Sequence, residues 1–518
     1  MDNLVSNESM DSAGGIKQLT ELKDILFSLK KEGKKIVLCH GVFDLLHVGH
    51  IRHLKKAKQP GDILVVTLTP DCYVNKGPNR PAFEENLRAE AMAALGFVDY
   101  VSINQWPNAV ETIKLLQPDF YAKGRDYKEA TQDKTGGIVL EKEAVESVGG
   151  EIFYTEEITF SSSSLINKYL PIFSSEMSAF IKEFAKSYTY QGIENYIEKL
   201  KSLKVLLVGD AIIDDYHFCR TMGKPGKDPI LAACYERKET FIGGVLAVAN
   251  HVAGFSQHVD VVTFLGSEKS YEDFIGERLD PKVTSHFLKM AKGKTTIVKR
   301  RFLESYPLQK LFEVYMMDND EGSPDDSSAL CSKLDEIVAD YDVVIVTDYG
   351  HGMMSPEAVN LLAEKAKFLA VNTQVNAGNQ AFNTISKYPR ADFVSISENE
   401  IRIDVRSKRR PLKDIIREVS EKLGGSKIIV TRGVEGVICY GPKEGFVEVP
   451  AFMGKTVDRV GAGDSVLAVA SLCSQQNIPL QVVGLIGNAV GFQAVQTVGN
   501  KSSVNRDALL RSLEHCLK

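Results

Sequence analysis

Short apolar runs and polar, helix-like stretches alternate along most of the chain. Between Lys35 and about Tyr169, five apolar runs have β character: IVLCHG, DILVVTLT, VDYVSI, DFYAKG and EIFYTE. Stretches of helical character separate them, for example IRHLKKAKQ and EENLRAEAMAAL. This alternation predicts a parallel α/β sheet with crossover helices, and ligands of such sheets bind beyond the carboxyl ends of the strands.

A second α/β series follows after a purely helical segment. Residues 171–200 have helical periodicity without a β signal, which indicates a linker or a leading helix. The second series begins at VLLVGD and continues to GVICYG before two closing helices. We therefore predict a disordered tail over 1–18, a first domain over 19–170, a linker or leading helix over 171–200 and a second domain over 201–518.

Composition narrows the classes of function. The 518 residues are 44% hydrophobic and 25% charged, and no apolar run is long enough to span a bilayer, so we expect no membrane association. The net charge of -6 argues against nucleic acid and favours small phosphorylated ligands held in local basic pockets. Eight scattered cysteines without CxxC spacing, and an N-terminus without a secretory pattern, predict a cytoplasmic protein.

The first candidate site is the segment CHGVFDLLHVGH, which joins a strand to a helix. It places His47 and His50 one helical turn apart, so both imidazoles can face one bound phosphate chain. A helix N-terminus presents unpaired N–H groups and the positive end of the helix dipole, and it therefore suits phosphate. An isolated HxxH pair on a solvated helix is the alternative, but the preceding GVFDLLH argues against it.

This segment resembles the signature of the cytidylyltransferase-like nucleotidyltransferases, which have a Rossmann-like fold. The matching residues are Gly41, Phe43, Asp44, His47, Gly49 and His50. The resemblance implies further phosphate or pocket contacts at Lys76, Arg80, Arg88, Lys123, Asp126, Ser161, Ser162 and Ser163. Taken alone, the serines also fit a plain helix cap.

Nucleotidyl transfer needs no nucleophile from the protein, because a phosphate oxygen of the acceptor attacks the α-phosphorus directly. Catalysis then depends on positioning and on charge neutralisation. The resemblance implies that His47, His50, Lys123 and the serine cluster stabilise the triphosphate together with Mg²⁺. Arg88 is a further phosphate or pocket candidate.

The second candidate site is the segment DRVGAGDSVLAVA, which places a glycine-rich turn at the head of an apolar helix. The N–H groups of Gly461, Ala462 and Gly463 can form an anion hole for a transferring phosphoryl group, and Asp464 can take the proton of an attacking sugar hydroxyl. A glycine-rich turn capped by aspartate is the structural alternative.

From about residue 200 onward the chain resembles the PfkB or ribokinase family of carbohydrate kinases. That family has a ribokinase-like α/β domain with a small β lid, uses Mg²⁺ and ATP, and commonly binds a monovalent cation near GAGD. The resemblance implies sugar contacts at Asp210, Asp214, Gly243 and Gly244, and nucleotide contacts at Thr431, Gly433 and Gly436. The segment TDYGHG, which includes Asp348, also matches.

Three positions depart from the family pattern. Ala247 stands where the family has a sugar-binding asparagine, and the nearest asparagine is displaced to Asn250. The N-x-x-E motif for magnesium and phosphate begins with Ser397, although its glutamate, Glu400, remains as a candidate metal ligand. Arg459 replaces a small residue before GAGD.

The pairing of both domain types is similar to the bifunctional heptose-7-phosphate kinase/heptose-1-phosphate adenylyltransferase family, with the domain order reversed. It implies phosphorylation of an anomeric hydroxyl, a separate phosphatase for the sugar bisphosphate, adenylyl transfer from ATP, and a homodimer. Two alternatives remain open. One is a transferase that uses CTP and a polyol or other sugar phosphate, with the kinase-like domain as a sensor or scaffold, and the other is a binding protein without catalysis.

Overall fold

The computed structural model describes residues 15–74, 81–124, 137–155, 173–306, 308–317, 323–454 and 456–517. The chain divides into two compact units, Met1–Ile172 and Phe173–Leu517. Ile16 is buried and forms a parallel bridge with Val101, so the described structure includes the last residues of the segment for which the sequence predicts a tail. Among the described residues, no helix is both long and apolar enough to cross a membrane.

The first unit contains a five-stranded sheet in the order β3-β2-β1-β4-β5, in which all neighbours are parallel. The strands are β1 (Ile36–Gly41), β2 (Ile63–Leu68), β3 (Tyr100–Ile103), β4 (Phe120–Gly124) and β5 (Glu151–Thr155). Because the chain builds the sheet outward from β1 first on one side and then on the other, the strand order switches beside β1. In open parallel sheets such a switch point forms a crevice that binds ligands.

Helices cover both faces of this sheet. They are Leu19–Lys31, Val48–Ala57, Glu85–Ala93, Val110–Leu116 and Gly137–Ser147. One face packs around residues such as Leu54 and Met92, and the other around Leu26 and Ile113. The alternation of apolar runs and helices thus gives a sheet whose strands are buried from both sides, as parallel strands require.

The second unit is built on a nine-stranded sheet in the order β10-β9-β6-β13-β14-β15-β16-β17-β18. Neighbours are parallel from β10 to β16, and the last two pairs are antiparallel. The strands are β6 (Lys204–Gly209), β9 (His258–Leu265), β10 (Val283–Lys289), β13 (Val343–Asp348), β14 (Leu369–Thr373), β15 (Phe393–Ser397), β16 (Lys427–Thr431), β17 (Val437–Gly441) and β18 (Gly445–Val449).

A separate four-stranded sheet in the order β12-β11-β7-β8 forms the lid. Its strands are β7 (Ala211–Gly223), β8 (Ala232–Gly244), β11 (Ile297–Glu304) and β12 (Gln309–Met316). Only Asp210 separates β6 of the main sheet from β7 of the lid, so this residue lies at the junction of the two sheets. β8 returns to the main body at Gly243 and Gly244, where Gly244 pairs with Ala211.

The helices of the second unit are Ser175–Phe184, Tyr190–Lys199, Val245–Ala253, Glu272–Gly276, Pro324–Ile337, Pro356–Lys365, Glu398–Asp404, Leu412–Lys422, Ala462–Gln475, Leu480–Ala494 and Arg506–Leu517. The first two come from the segment 171–200. Met177, Phe184, Ile193 and Ile197 from these helices are buried in the core that also contains the helix Ala462–Gln475. This segment therefore contributes to the second unit.

Candidate active sites

The HxGH motif of the first unit lies directly beyond the carboxyl end of β1. His47 is the N-cap of the helix Val48–Ala57, and the Gly49 N–H donates a hydrogen bond of 3.1 Å to His47 Nδ1. Burial lowers the pKa of His47 below its usual value, so the ring is neutral near pH 7. With Nδ1 acting as an acceptor, the single ring proton lies on Nε2.

The two histidines of the motif stack on each other. Their ring centroids are 3.9 Å apart with an interplanar angle of 26°, and Phe43 packs edge-on against His50 at 5.2 Å. A Cβ at Gly41 would approach the Phe43 ring at 3.1 Å, so glycine leaves room for that ring. The motif residues therefore hold one another in place at the helix N-terminus.

Asp44 is an anchor between two loops. Its side chain is buried, and Oδ1 accepts hydrogen bonds from the N–H groups of Ala82 at 2.6 Å and Phe83 at 3.4 Å. These bonds fasten the segment before the helix Glu85–Ala93 to the HxGH motif. In the described structure Asp44 organises the pocket through the main chain.

Arg88, which the sequence suggests as a phosphate or pocket residue, belongs to the scaffold. It is 3% exposed, and its Nε donates to the Phe83 carbonyl at 2.9 Å. Nη1 donates to the Val42 carbonyl, and Nη2 donates to the Thr69 carbonyl and pairs with Asp71. These bonds engage all three guanidinium nitrogens and fasten three segments of the unit to one another.

Lys123 lies near the end of β4 and pairs with an acidic residue that the sequence analysis missed. Its Nζ is 2.8 Å from Glu141 Oε2 on the helix Gly137–Ser147, and both side chains are almost fully buried. Burial alone lowers the pKa of Lys123, but the attraction of Tyr121 and Glu141 outweighs it, so the pKa ends above its usual range. The ammonium therefore stays charged beneath the site.

His40, Thr67 and Thr69 form a hydrogen-bonded polar trio that the sequence did not predict. His40 Nδ1 lies 3.0 Å from Thr67 Oγ1, and Nε2 lies 3.2 Å from Thr69 Oγ1. Burial, helped by the charge of Lys123, lowers the pKa of His40 to about 3, so the ring is neutral. The trio satisfies polar groups at the ends of β1 and β2, where ligands of this fold bind.

The remaining candidates of the first unit, Lys76, Arg80, Asp126, Ser161, Ser162 and Ser163, lie outside the described residues.

In the second unit the GAGD segment forms the start of the helix Ala462–Gln475. Gly461 caps this helix with φ of 81°, and a Cβ there would collide with Asn500 Oδ1. Glycine is therefore required both for the left-handed conformation and for the close approach of Asn500. The helix N-terminus faces a cavity of about 920 Å³.

This cavity brings together most of the predicted kinase residues. It is lined by Asp214, Gly244, Glu400, Thr431, Gly433, Gly436, Gly461, Ala462, Gly463 and Asp464, and also by Arg459. Asp210 and Gly243 are not in its lining. The lining also contains residues that the sequence did not predict, among them Lys299, Arg301, Lys310, Tyr349 and Asn500.

Asp464, the residue that the sequence suggests as the general base, is partly buried near the start of the helix Ala462–Gln475 and has a raised pKa. Burial raises the pKa of its carboxyl to about 6, with Asp214 adding to the rise, while a hydrogen bond from Tyr349 opposes it. The Tyr349 hydroxyl donates to Asp464 Oδ1 at 2.8 Å. A carboxylate with this pKa is mostly ionised at pH 7 and is still a stronger base than an ordinary aspartate.

Asp214 projects from the lid into the cavity and is held by two partners. Arg301 Nη1 on β11 donates to its Oδ1, and Asn500 Nδ2 donates to Oδ2 at 3.2 Å. A Cβ at Gly243 would collide with Asp214 Oδ2, which explains the first glycine of the pair. Asp214 therefore bridges Arg301 of the lid and Asn500 at the cavity.

Asp210, which the family resemblance assigns to the sugar, lies outside the lining of this cavity and lines a smaller pocket together with His351 and Met353. Burial raises the pKa of Asp210 to about 7, and the nearby charge of Asp348 adds to this shift. Asp348 Oδ2 accepts a hydrogen bond from the Tyr388 hydroxyl at 2.7 Å and pairs with Lys387. Asp210 therefore supports the sheet junction and does not reach the cavity.

Two of the departures from the family pattern have a visible structural outcome. Ala247 is buried in the helix Val245–Ala253. Asn250 does not replace the missing sugar ligand, because its side chain donates to the Arg278 carbonyl and accepts from the Asp280 N–H, each at 2.8 Å. Asn500, one of several amide residues in the cavity lining, donates to Asp214.

Thr431 ends β16, and Gly433 and Gly436 follow it, and all three line the cavity. Gly433 and Gly436 have φ of 57° and 87°, and a Cβ at Gly436 would collide with the Val449 carbonyl oxygen. Only glycine fits that position, where the turn meets the end of β18.

Comparisons with known proteins agree with this division. The pfkB family carbohydrate kinase matches residues 202–507, and the cytidylyltransferase-like family matches residues 38–168. Phosphofructokinase-2 from Escherichia coli in complex with fructose-6-phosphate is similar in fold. The TM-score is 0.50 at 14% identity, over 60% of this chain and 98% of that one. This similarity concerns the fold alone.

Among curated proteins, similar sequences carry the name Bifunctional protein HldE. That of Geobacter metallireducens is 41% identical over 172 residues, which is 32% of this chain and 33% of that protein. That of Campylobacter jejuni subsp. doylei is 42% identical over 154 residues, which is 29% of this chain and 31% of that protein. The chain thus spans about a third of the length of the curated relatives it matches.

The predicted fold class is confirmed in both units, with a Rossmann-like sheet first and a ribokinase-like sheet second. The predicted resemblance to the bifunctional family with reversed domain order is confirmed as well, since the transferase-type domain precedes the kinase-type domain. The pfkB match alone extends over more than half of the chain. The chain therefore belongs to the PfkB family of carbohydrate kinases and carries a cytidylyltransferase-like domain ahead of its kinase domain.

Proposed function

We propose that the chain is a bifunctional enzyme of sugar-nucleotide biosynthesis. Its second unit phosphorylates the anomeric hydroxyl of a sugar phosphate such as heptose 7-phosphate. Its first unit joins a sugar 1-phosphate to a nucleotide, preferentially AMP from ATP, and releases pyrophosphate. The name of the HldE relatives supports this pairing, and the convergence of Asp464, the GAGD loop and Asp214 on one cavity is the observation that carries it.

In the kinase step Asp464 takes the proton of the anomeric hydroxyl as the sugar oxygen attacks the γ-phosphorus of ATP. The bond from the γ-phosphorus to the bridging oxygen breaks, and ADP leaves. The N–H groups of Gly461, Ala462 and Gly463 face the developing charge of the phosphoryl group. Asp214 of the lid and Asn500 beside it orient the sugar, and the glycine turn at Gly433 and Gly436 receives the nucleotide.

In the transferase step an oxygen of the sugar 1-phosphate attacks the α-phosphorus of the nucleotide, and pyrophosphate leaves. His47 and His50 donate hydrogen bonds to the triphosphate, while Lys123 supplies a fixed positive charge nearby. Lys76 and the serines Ser161, Ser162 and Ser163 complete the proposed phosphate contacts. Between the two steps, a separate phosphatase removes the distal phosphate of the sugar bisphosphate.

The side chains of the described residues suit a magnesium ion that is held mainly by the phosphates of the nucleotide. No group of three or more His, Cys, Asp or Glu side chains suited to a metal occurs among the described residues. Mg²⁺ commonly binds through one or two carboxylates, several waters and the substrate phosphates. Glu400 lines the cavity and would hold such an ion there, and the bound ion would neutralise phosphate charge.

We further propose that the chain works in the cytoplasm as a homodimer. Apolar side chains are exposed on the lid, for example Met222, Tyr235 and Phe312 at 63%, 56% and 54%. Burial of these side chains against a second copy would remove an apolar surface from water. Light scattering during gel filtration tests the dimer.

A second function deserves testing because Ala247 removes an amide that the family uses for the sugar. In that case the transferase alone is active, with CTP and a polyol or other sugar phosphate, and the second unit senses or binds a ligand. The two functions differ in one measurement, which is ATP consumption with a sugar phosphate as the sole acceptor.

The test uses the full chain with Mg²⁺ and two parallel assays. ADP formation is followed with ATP and heptose 7-phosphate, and pyrophosphate release is followed with ATP or CTP against a panel of sugar 1-phosphates. The proposal predicts activity in both assays, with ATP preferred in the second. Pyrophosphate release without ADP formation supports the transferase-only function. If neither ADP nor pyrophosphate is formed, the proposal of an enzyme is refuted.

A further inference from the structure

Tyr349 follows β13 directly and reaches the proposed kinase base. Its hydroxyl donates a hydrogen bond of 2.8 Å to Asp464 Oδ1, although the two residues lie 115 positions apart. The family resemblance gave this tyrosine no role. Its ring is 3% exposed and packs in a small cluster with Ile212 and Ile297.

The main chain of Tyr349 is fixed on both sides. Its N–H donates to Asp210 Oδ2 at 3.2 Å. Its carbonyl accepts hydrogen bonds from Asn376 Nδ2 at 2.8 Å and from Asn379 Nδ2 at 2.9 Å. Because the ring is buried and the backbone is held, the hydroxyl has little freedom to leave Asp464.

The two oxygens of the Asp464 carboxylate differ in their hydrogen bonding, because the Tyr349 hydroxyl donates to Oδ1 and not to Oδ2. In the described parts of the chain, Tyr349 supplies the only side-chain hydrogen bond to this carboxylate. The other charged groups that influence it are Asp214 and Lys299 on the lid and Glu400 on the main sheet side. Asp214 and Glu400 raise the pKa of Asp464, whereas Lys299 and the Tyr349 hydroxyl lower it.

We propose that Tyr349 is a positioning residue for the kinase base. Its hydroxyl holds Oδ1 of Asp464 and leaves Oδ2 to accept the proton of the attacking sugar hydroxyl. In the step itself the sugar O–H bond breaks, the proton passes to Oδ2, the sugar O–P bond forms and the bond to ADP breaks. Tyr349 gains and loses no proton. This inference rests on the proposed kinase function.

The phenol is suited to this role because it remains a donor throughout the working pH range. Burial raises the pKa of Tyr349 well above its usual value, and the nearby Asp464 carboxylate reinforces the rise. A hydroxyl that never ionises near neutral pH stabilises the charged base without competing for its proton. Removal of the Tyr349 hydroxyl should therefore raise the pKa of Asp464.

The experiment compares wild type with Tyr349→Phe by measuring kcat/KM for the sugar phosphate against pH at saturating Mg-ATP. We expect the acid limb to move upward by about 0.5 to 1 pH unit in the variant, with KM for ATP unchanged. The sugar phosphate also titrates in this range, but its ionisation is common to both enzymes and cancels in the difference.

The matched control is Tyr388→Phe. Tyr388 is equally buried, and its hydroxyl donates to the carboxylate of Asp348 at 2.7 Å, so the same atom is removed from a tyrosine–carboxylate pair that does not include the base. We expect its acid limb to match that of wild type. If Tyr349→Phe does not fold, 3,5-difluorotyrosine at position 349 serves instead, since a stronger donor should move the limb downward.

An acid limb that is unchanged in a folded Tyr349→Phe enzyme, or with difluorotyrosine, overturns the role of Tyr349 while the kinase function stands. An equal shift in both phenylalanine variants also overturns it, because the effect is then a general response to a lost buried hydrogen bond. A wild-type chain that forms no ADP with any sugar phosphate refutes the kinase function itself.

Discussion

Ser397 and Glu400 cap each other at the start of the helix Glu398–Asp404. Ser397 Oγ accepts the Glu400 N–H at 3.3 Å, and Glu400 Oε2 accepts the Ser397 N–H at 2.9 Å. Glu400 Oε1 accepts the N–H of Val375 at 3.1 Å. The serine that departs from the family motif thus completes a capping box, and the glutamate that lines the cavity is oriented by two backbone donors.

The capping box predicts how position 397 responds to substitution. Ser397→Ala should lower the free energy of unfolding by about 1 kcal/mol, whereas Ser397→Asn should change it by only a few tenths, because asparagine caps helices about as well as serine. Urea unfolding followed by circular dichroism measures both. An alanine variant as stable as wild type would contradict the role of the box.

Arg88 should behave as a scaffold residue. Arg88→Met leaves Asp71 and three main-chain carbonyls without their buried donor, so the first unit should lose on the order of 3 kcal/mol of stability. The sole tryptophan, Trp106, lies in this unit, and its fluorescence during urea unfolding reports that unit selectively. The exposed Arg52, replaced in the same way, is the control.

A direct phosphate contact would give the opposite result for Arg88. The midpoint of the Trp106 transition would then stay at its wild-type value, and only KM for the nucleotide in the pyrophosphate assay would rise.

The raised pKa of Asp210 should make the free energy of unfolding depend on pH. Its folded pKa of about 7 lies above the unfolded value of 3.8, so its favourable contribution is fully present below pH 3.8 and is lost progressively until the pH reaches about 7. Asp210→Asn removes this loss. The variant should therefore gain about 2 kcal/mol relative to wild type between pH 5 and pH 8, measured by urea unfolding at both values.

The half-exposed Asp342, at the edge of the same sheet, provides the control as Asp342→Asn. An Asp210→Asn variant whose stability relative to wild type is the same at both pH values would refute the raised pKa of Asp210.

Asp464 sets the acid side of the kinase pH profile. Because burial raises the pKa of Asp464 to about 6, the ionised base is lost below that value. We expect kcat/KM for the sugar phosphate to fall about tenfold for each pH unit below this point, after correction for the substrate's own titration. Corrected rates that stay constant down to pH 5 would exclude Asp464 as the base.

The sequence predicted the features that depend on local pattern. Apolar runs identified the strands that frame both sites, and the HxGH and GAGD strings placed His47 and Asp464 at helix N-termini. These motifs depend on residues next to one another in the chain, so their geometry follows from the turn they form.

The features that the sequence did not predict depend on contacts between distant segments. Asn500 meets Asp214 across 286 positions, and Tyr349 meets Asp464 across 115, without any spacing that would reveal them. For Arg88, the sequence gives no sign of whether the partners of a basic residue near a phosphate motif are phosphates or carbonyls. Only the fold of the segments around Val42 and Thr69 decides this.

The central claim is that two independent phosphate reactions occur on one chain, and crossed variants test it most directly. His50→Ala and Asp464→Asn are each measured for pyrophosphate release with a sugar 1-phosphate and for ADP formation with a sugar 7-phosphate. We predict that His50→Ala abolishes pyrophosphate release and keeps ADP formation, and that Asp464→Asn does the reverse. An Asp464→Asn enzyme that forms ADP from the sugar phosphate at the wild-type rate would contradict the account.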